Sequence, residues 1–167
     1  MKNVLGCEGK SEVALVEQLL TKGELVFTKK ELLDMRPIHF RQPKDIAAII
    51  DILPIDEDIV FYRIGDTQRD EYDFSCFRAR QDYISVIKVC TTPEIEILII
   101  INEGLMNEYN KVKSNMMPKQ FVKQYVKGFT NFNDYIATHD MVAAIKEYKR
   151  IKKQEKDTIC LADLLKK

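Results

Sequence analysis

Short apolar runs alternate with stretches of helical periodicity over the first two thirds of the chain. Runs rich in β-branched and aromatic residues at positions 4–7, 38–40, 59–64 and 84–90 predict strands. Apolar residues that recur three and four positions apart predict helices that begin near Ser11, Pro43 and Pro93. Because strands alternate with helices, we predict an α/β fold in which a mostly parallel four-stranded sheet has helices on both faces.

The last third of the chain is richer in lysine. A long helix is predicted to begin near Thr138 as its N-cap, with one apolar face and one lysine-rich face, and a short helical tail is predicted over residues 159–165. These patterns divide the chain into an α/β domain over residues 1–113 and a basic helical C-terminal extension over residues 114–167 that packs on it.

Three aromatic residues of the extension have two interpretations. Phe121, Tyr125 and Phe129 are four residues apart, which is the spacing of a buried helical face. They also lie among lysines, which is typical of a surface that stacks nucleic-acid bases. The spacing favours the buried interpretation for two of the three.

Composition excludes several classes of protein. With 167 residues, 46% of them hydrophobic, the chain is long and apolar enough for a globular core, and its longest apolar run of five residues is too short to span a membrane. The four cysteines are scattered without a Cys-x-x-Cys pair, which argues against structural zinc and favours a reduced, cytoplasmic chain. Of the two histidines, His39 is predicted to be a packed core residue and His139 a surface residue, so neither supports a histidine-based site.

The net charge is zero, but the charges are unevenly distributed. Residues 1–106 contain 13 Lys and Arg against 19 Asp and Glu, and residues 107–167 contain 13 against 7. An acidic half that holds cations beside a basic half that holds phosphates is typical of proteins that act on nucleic acid. A soluble protein with an internally complementary surface would show the same pattern.

Acidic residues follow three of the four predicted strands. Glu8 follows the first strand, Asp66 follows the third, and Glu94 and Glu96 open the helix after the fourth. The carboxyl ends of parallel strands share one edge of a sheet, where clustered carboxylates repel one another unless a cation neutralises them. Mg²⁺ prefers such oxygen ligands and would polarise a phosphodiester there. Each residue also has a purely structural interpretation, because Asp forms turns and Glu is favoured in the first turn of a helix.

The strand ends also carry motifs of a known family. The run Cys7-Glu8-Gly9-Lys10-Ser11-Glu12 and the run Ile64-Gly65-Asp66-Thr67-Gln68 resemble the Glu-Gly and Asp-x-Asp motifs of the Toprim superfamily of topoisomerases, primases and nucleases. The segment Thr92-Pro93-Glu94-Ile95-Glu96-Ile97-Leu98 is similar to the Asn-Pro-x-Phe-Glu segment of its RloB-like branch, which is linked to phage defence beside the overcoming-lysogenization-type nucleases. The resemblance covers about residues 2–110.

The resemblance implies a Toprim-like Rossmannoid fold, a Mg²⁺ site in which Mn²⁺ can substitute, and roles for the matching residues. Glu8 and Lys10 would be catalytic, with Glu8 as general acid or base, and Lys10, Arg63 or Arg69 would contact phosphate. The metal ligands would be Glu8, Asp66, Asp70 and Glu96. In the basic extension, Lys119 and Lys123 are predicted to bind nucleic acid.

One departure from the family pattern bears on catalysis. The second aspartate of Asp-x-Asp is Gln68 in this chain, although Asp70 lies nearby and can substitute. An amide accepts a hydrogen bond from metal-bound water but supplies no charge. The departure therefore predicts either a weakened metal site or a domain that has lost catalysis.

Three functions follow from these patterns. The leading hypothesis is a Mg²⁺-dependent nuclease of Toprim type that acts on DNA or RNA in phage defence, which the intact Glu8 and Asp66 favour. Gln68 favours a second hypothesis, a catalytically degenerate module that assembles with itself, with a separate ATPase or with a nucleic-acid-binding subunit. A partner would have to supply any ATPase activity, because the glycine of a phosphate-binding loop is missing upstream of Gly9-Lys10-Ser11. The third is a small-molecule phosphotransferase on a doubly wound sheet.

Overall fold

The computed structural model describes residues 1–66, 71–152 and 159–167. Within these residues one sheet contains four strands, β1 (Lys2–Cys7), β2 (Ile38–His39), β3 (Ile59–Gly65) and β4 (Ile84–Cys90), in the order β2-β1-β3-β4. All three pairings are parallel. The predicted α/β class and the four-stranded parallel sheet are therefore confirmed, and the arrangement is Rossmann-like.

Both faces of the sheet are covered, because successive side chains of a strand point to opposite faces. In β1, Leu5 packs into the larger hydrophobic core with α1 (Lys10–Thr21) and α3 (Ile97–Asn102). Its neighbour Val4 packs into the smaller core on the other face with Phe61 of β3. That face is covered by the short helix α2 (Ala47–Ile50) and by 3-10 helices at Pro43–Ile46 and Ser75–Tyr83.

The C-terminal region shares the larger core. It contains α4 (Met106–Val112), α5 (Pro118–Tyr125), α6 (Phe132–Thr138), α7 (Val142–Lys152) and a 3-10 helix at Leu161–Leu164. Helix α3 packs against both α5 and α7, so Phe121 and Tyr148 lie in one cluster with Leu15 of α1. The last residues return to the loop after α1, where the N–H of Val26 donates to the carbonyl of Leu164 at 2.9 Å.

Two predicted helices have different bounds. The segment after Pro93 is two helices, α3 and α4, because Gly104 between them adopts a φ of +69° that ends the first. Thr138 ends α6 and is not the N-cap of the last helix. The Asp140 carboxylate accepts the N–H of Val142 at 3.0 Å and so caps α7.

No helix among the described residues is both long enough and apolar enough to cross a membrane.

Phe121 tests whether the C-terminal helices and the sheet unfold together. Its side chain is 1% exposed in the shared core, so Phe121→Ala should lower the free energy of unfolding by about 3–5 kcal/mol. We expect one denaturant transition, followed by circular dichroism, with a lower midpoint. Tyr125→Ala is the matched control, because this ring is 48% exposed and only stacks on Phe121, and it should cost about 1 kcal/mol. Two separate transitions in the wild-type chain would contradict the shared core.

Candidate functional site

Backbone hydrogen bonds hold the carboxyl ends of all four strands side by side. The N–H of Phe40 donates to Cys7 at 3.3 Å, that of Glu8 to Ile64 at 3.0 Å and that of Thr91 to Gly65 at 3.0 Å. The strand order reverses between β1 and β3, because β2 lies on one side of this pair and β4 on the other. In open α/β sheets, ligands bind in the crevice at such a reversal. Glu8 and Asp66 come directly after these two strands and lie at this crevice.

A buried arginine holds the Glu8 side chain. Oε1 of Glu8 accepts from Nε of Arg63 at 2.8 Å and forms an ion pair with Nη2 at 2.7 Å. Arg63 is 5% exposed, and the ring of Tyr72 covers its guanidinium carbon at 4.9 Å from the ring centroid. A buried charge is stable only when it is paired, so the ion pair and the cation–π contact fix both side chains. Burial raises the pKa of the Tyr72 hydroxyl, so the phenol remains neutral.

Two glycines leave space that acidic side chains occupy. A Cβ atom on Gly65 would lie 2.5 Å from Cγ of Glu8 and closer still to its carboxylate. A Cβ atom on Gly9 would collide with the carboxylate of Glu12. Gly9 itself has an extended backbone with φ −135°, which any residue can adopt. The absence of a side chain at Gly9 therefore leaves the space that the Glu12 carboxylate occupies.

Among the described residues, Glu12 is a carboxyl group whose pKa is strongly raised. It is the third residue of α1 and 7% exposed, and its pKa rises to about 7. Burial is the main cause, and repulsion from Asp66, Glu96 and Glu8 raises the pKa further. The carboxylates of Asp66, Glu96 and Glu8 are therefore near enough for their charges to act on Glu12.

Glu96 lies at the start of α3 and is 8% exposed. Burial raises its pKa, repulsion from Glu94 and Asp66 adds to the rise, and Lys119 opposes it. The backbone N–H of Lys119, in the first turn of α5, donates to Glu94 at 3.0 Å. The basic C-terminal region therefore begins directly beside the acidic strand ends.

Three of these carboxylates line an open pocket of about 520 Å³. Its acidic side contains Glu8, Glu12 and Asp66, and Arg63 lies beside them. Arg41 and Gln42, from the loop after β2, line the same pocket.

Other residues with a predicted catalytic or nucleic-acid-binding role lie outside the pocket. Lys10 and Lys123 are exposed and are not among the residues that line it. Arg69, Asp70 and the departure at Gln68 lie outside the described residues, so their predicted roles remain predictions.

Sequence reasoning assigned no role to Glu12, Arg41 or Gln42. The sequence does contain a signal for Glu12, because this residue follows Glu8 by four positions and lies in the first turn of the helix after the motif. The sequence contains no such signal for Arg41 and Gln42, since only the tertiary structure brings the β2 loop to the crevice.

The prediction for His39 was wrong: it is exposed, and its Nε2 donates to the carbonyl of Glu8 at 3.2 Å. His139 is exposed as predicted and stacks on Tyr135.

Two of the three aromatic residues of the extension pack on the core, but they do not form the single helical face that their spacing predicted. Phe121 is buried in α5, Phe129 packs against the same core from the segment after that helix, and Tyr125 is exposed.

In the ranges 1–66, 71–152 and 159–167, no group of three or more His, Cys, Asp or Glu side chains lies close enough together to hold a metal ion by itself. No protein-family model, no curated protein and no solved structure matches the chain. Function is therefore inferred from the residues and their geometry.

The pKa of Glu12 predicts how stability depends on pH. A carboxyl whose pKa rises from 4.5 to about 7 on folding binds its proton more tightly in the folded state, so stability falls as pH rises through this interval. Glu12→Gln removes this loss and should stabilise the protein by about 1–3 kcal/mol at about pH 8, with little effect near pH 4. Thermal unfolding of both proteins across this range measures the difference. A pH-independent difference would show that Glu12 titrates normally.

Proposed function

We propose that this chain is a Toprim-type, Mg²⁺-dependent phosphodiester-cleaving protein that acts on nucleic acid in phage defence. The observation that carries the proposal is that Glu8, Glu12 and Asp66 line one pocket at the crevice between β1 and β3, in segments that resemble motifs of the Toprim superfamily. Glu96 is near enough for its charge to raise the pKa of Glu12. An isolated group of carboxylates is electrostatically unfavourable, and a site that binds a cation makes it favourable.

The donors fit magnesium in chemical type and in number. Carboxylate oxygens are its preferred protein ligands, and Mg²⁺ is held by one or two of them together with water and substrate phosphate oxygens. A group of three protein donors is therefore not required. Asp66 and Glu12, which line the pocket, are the residues that would hold the ion. When bound, the ion supplies polarisation of the phosphoryl group and stabilisation of the leaving oxygen.

The chain's own side chains supply positioning and proton transfer. Arg63 fixes the orientation of Glu8 through two short contacts, so Glu8 is preorganised at the crevice. Because Asp66 and Glu12 would hold the ion, Glu8 is the carboxylate that would serve as the general acid or base of the proposed reaction.

Nucleic acid would extend from the crevice onto α5. Lys119 and Lys123 are exposed on this helix, and Lys119 is close enough to Glu96 to lower its pKa. A strand that follows this path passes from the acidic edge to a basic surface, where backbone phosphates are favoured.

One observation favours the alternative, a catalytically degenerate module that assembles with an ATPase or a nucleic-acid-binding subunit. Arg63 already neutralises Glu8, the glutamate of the Glu-Gly motif, so a cation is less needed at that position. The two functions differ in metal binding, which the degenerate module does not require.

A measurement of Mg²⁺ binding distinguishes the catalytic proposal from the degenerate module. We expect the wild-type chain to bind Mg²⁺ in calorimetry, and Asp66→Asn and Glu12→Gln each to weaken binding by about tenfold or more, because each removes an anionic oxygen donor. Glu17→Gln on the same helix is the matched control and should bind like the wild type. Glu8→Gln is unsuitable, since it weakens the partner of a buried arginine and so destabilises the fold. Absence of Mg²⁺ binding in the wild type would overturn the catalytic proposal.

The basic surface predicts a salt-dependent affinity. The double variant Lys119→Gln, Lys123→Gln should weaken single-stranded DNA or RNA binding and reduce the slope of log affinity against log salt by about 2. Lys29→Gln, Lys30→Gln is the control, because these exposed lysines precede Leu32, which pairs with Asn3 near the amino end of β1. Equal slopes for the two double variants would show that α5 does not contact the strand.

A further inference from the structure

The pocket at the strand ends is lined by side chains of both charges. Glu8, Glu12 and Asp66 line it together with Arg41 and Arg63. A phosphate oxygen that approaches carboxylates is repelled, and a cation in the same pocket offsets this repulsion. An accessible cationic side chain in this pocket therefore favours the binding of an anionic group, in addition to any metal ion.

Arg63 does not meet this requirement, although the sequence suggested it. Its side chain is 5% exposed, bonded to Glu8 and covered by the ring of Tyr72. Releasing it to bind a ligand would leave both Glu8 and the arginine without their ion pair, which is costly at a buried site.

The Arg41 side chain is exposed, in contrast to that of Arg63. Among the described residues that line the pocket, it is the only cation with an exposed side chain. Its guanidinium forms no hydrogen bond or ion pair with the described residues. Asp45 lies close enough for the charge of Arg41 to lower its pKa, a change caused mainly by its hydrogen bond with the Gln42 backbone. The same carboxylate oxygen accepts the backbone N–H of Gln42 at 2.9 Å and that of Arg41 at 3.1 Å.

The backbone that carries Arg41 is held in place from two sides. Asp45 binds the two N–H groups from the 3-10 helix that follows. The side chain of Gln42 accepts the N–H of Asp73 at 3.0 Å and donates to the carbonyl of Glu71 at 3.4 Å. An anchored backbone with an unbonded guanidinium is preorganised, so little ordering is required of the loop when a ligand binds.

We propose that Arg41 binds the non-bridging oxygens of the substrate's phosphodiester in the pocket that the carboxylates also line, and is the residue that recognises phosphate there. The assignment rests on the proposed function for the identity of the substrate, whereas the anion-binding role rests on the pocket alone. A guanidinium offers two parallel N–H donors to a phosphate, so the contact is directional as well as ionic.

The test is the binding of a short fluorescent single-stranded DNA with unmodified phosphodiester linkages, followed by anisotropy in Ca²⁺, which takes the same oxygen ligands as Mg²⁺. Arg41→Gln should weaken binding by about 10- to 100-fold, the loss expected for a charge-assisted contact. Arg41→Lys should retain part of the affinity, because it keeps the charge but loses the paired donors. Lys44→Gln is the matched control, since this exposed lysine lies in the adjoining 3-10 helix and does not line the pocket, and it should bind within about twofold of the wild type.

Calorimetry with Mg²⁺ alone on the same proteins separates this inference from the proposed function. Arg41→Gln should bind Mg²⁺ at least as tightly as the wild type, because it removes a positive charge near the carboxylates. Equal DNA affinity for Arg41→Gln and the wild type would overturn the role of Arg41 even if Mg²⁺ binds normally. A wild-type chain that binds no Mg²⁺ but loses DNA affinity on Arg41→Gln would overturn the proposed function and support Arg41. Inorganic phosphate should compete with the DNA on the wild type and have little effect on Arg41→Gln; failure to compete on the wild type would overturn a phosphate-specific contact.

Discussion

The parallel pairing of β1 with β3 determines the geometry of the crevice. Six consecutive residue pairs, from Lys2 with Ile59 to Cys7 with Ile64, bring the two strands to an end at the same level of the sheet. Glu8 therefore emerges next to Gly65, where the missing side chain leaves room for it, and within reach of Arg63. A shift of the register by one residue would turn the side chains of one strand to the opposite face and separate all of these groups.

At the crevice, burial disfavours the charged form of the carboxylates and ion pairing favours it. Glu12 and Glu96 are almost fully buried near other carboxylates, and their pKa values rise because the charged form is poorly solvated there. Arg63 compensates Glu8 from within the sheet, and the Arg41 side chain remains exposed in the same pocket. Such an arrangement is unfavourable for stability alone, and perturbed carboxylates in a cleft are typical of sites that bind or react.

The C-terminal helices contribute to the site through packing. Helices α5 and α7 pack on α3, and this contact sets the first turn of α5 against Glu94 and brings Lys119 near Glu96. The acidic and basic parts of the sequence thus meet at one boundary, and the hydrophobic core that contains Phe121 and Tyr148 fixes their relative position.

The amino-acid sequence by itself determined the class of fold and the acidic strand ends. Strand runs, helical periodicity and the positions of Glu8 and Asp66 are local patterns, and a parallel sheet necessarily gathers its carboxyl ends at one edge. The helix bounds near Gly104 and Thr138 were less predictable, because single residues with special conformations or capping bonds decide them. The tertiary structure alone decided that Arg63 is buried against Glu8, that Glu12 titrates near neutrality and that Arg41 faces the pocket. Burial and the distance between charges depend on residues far apart in sequence, and no local pattern encodes them.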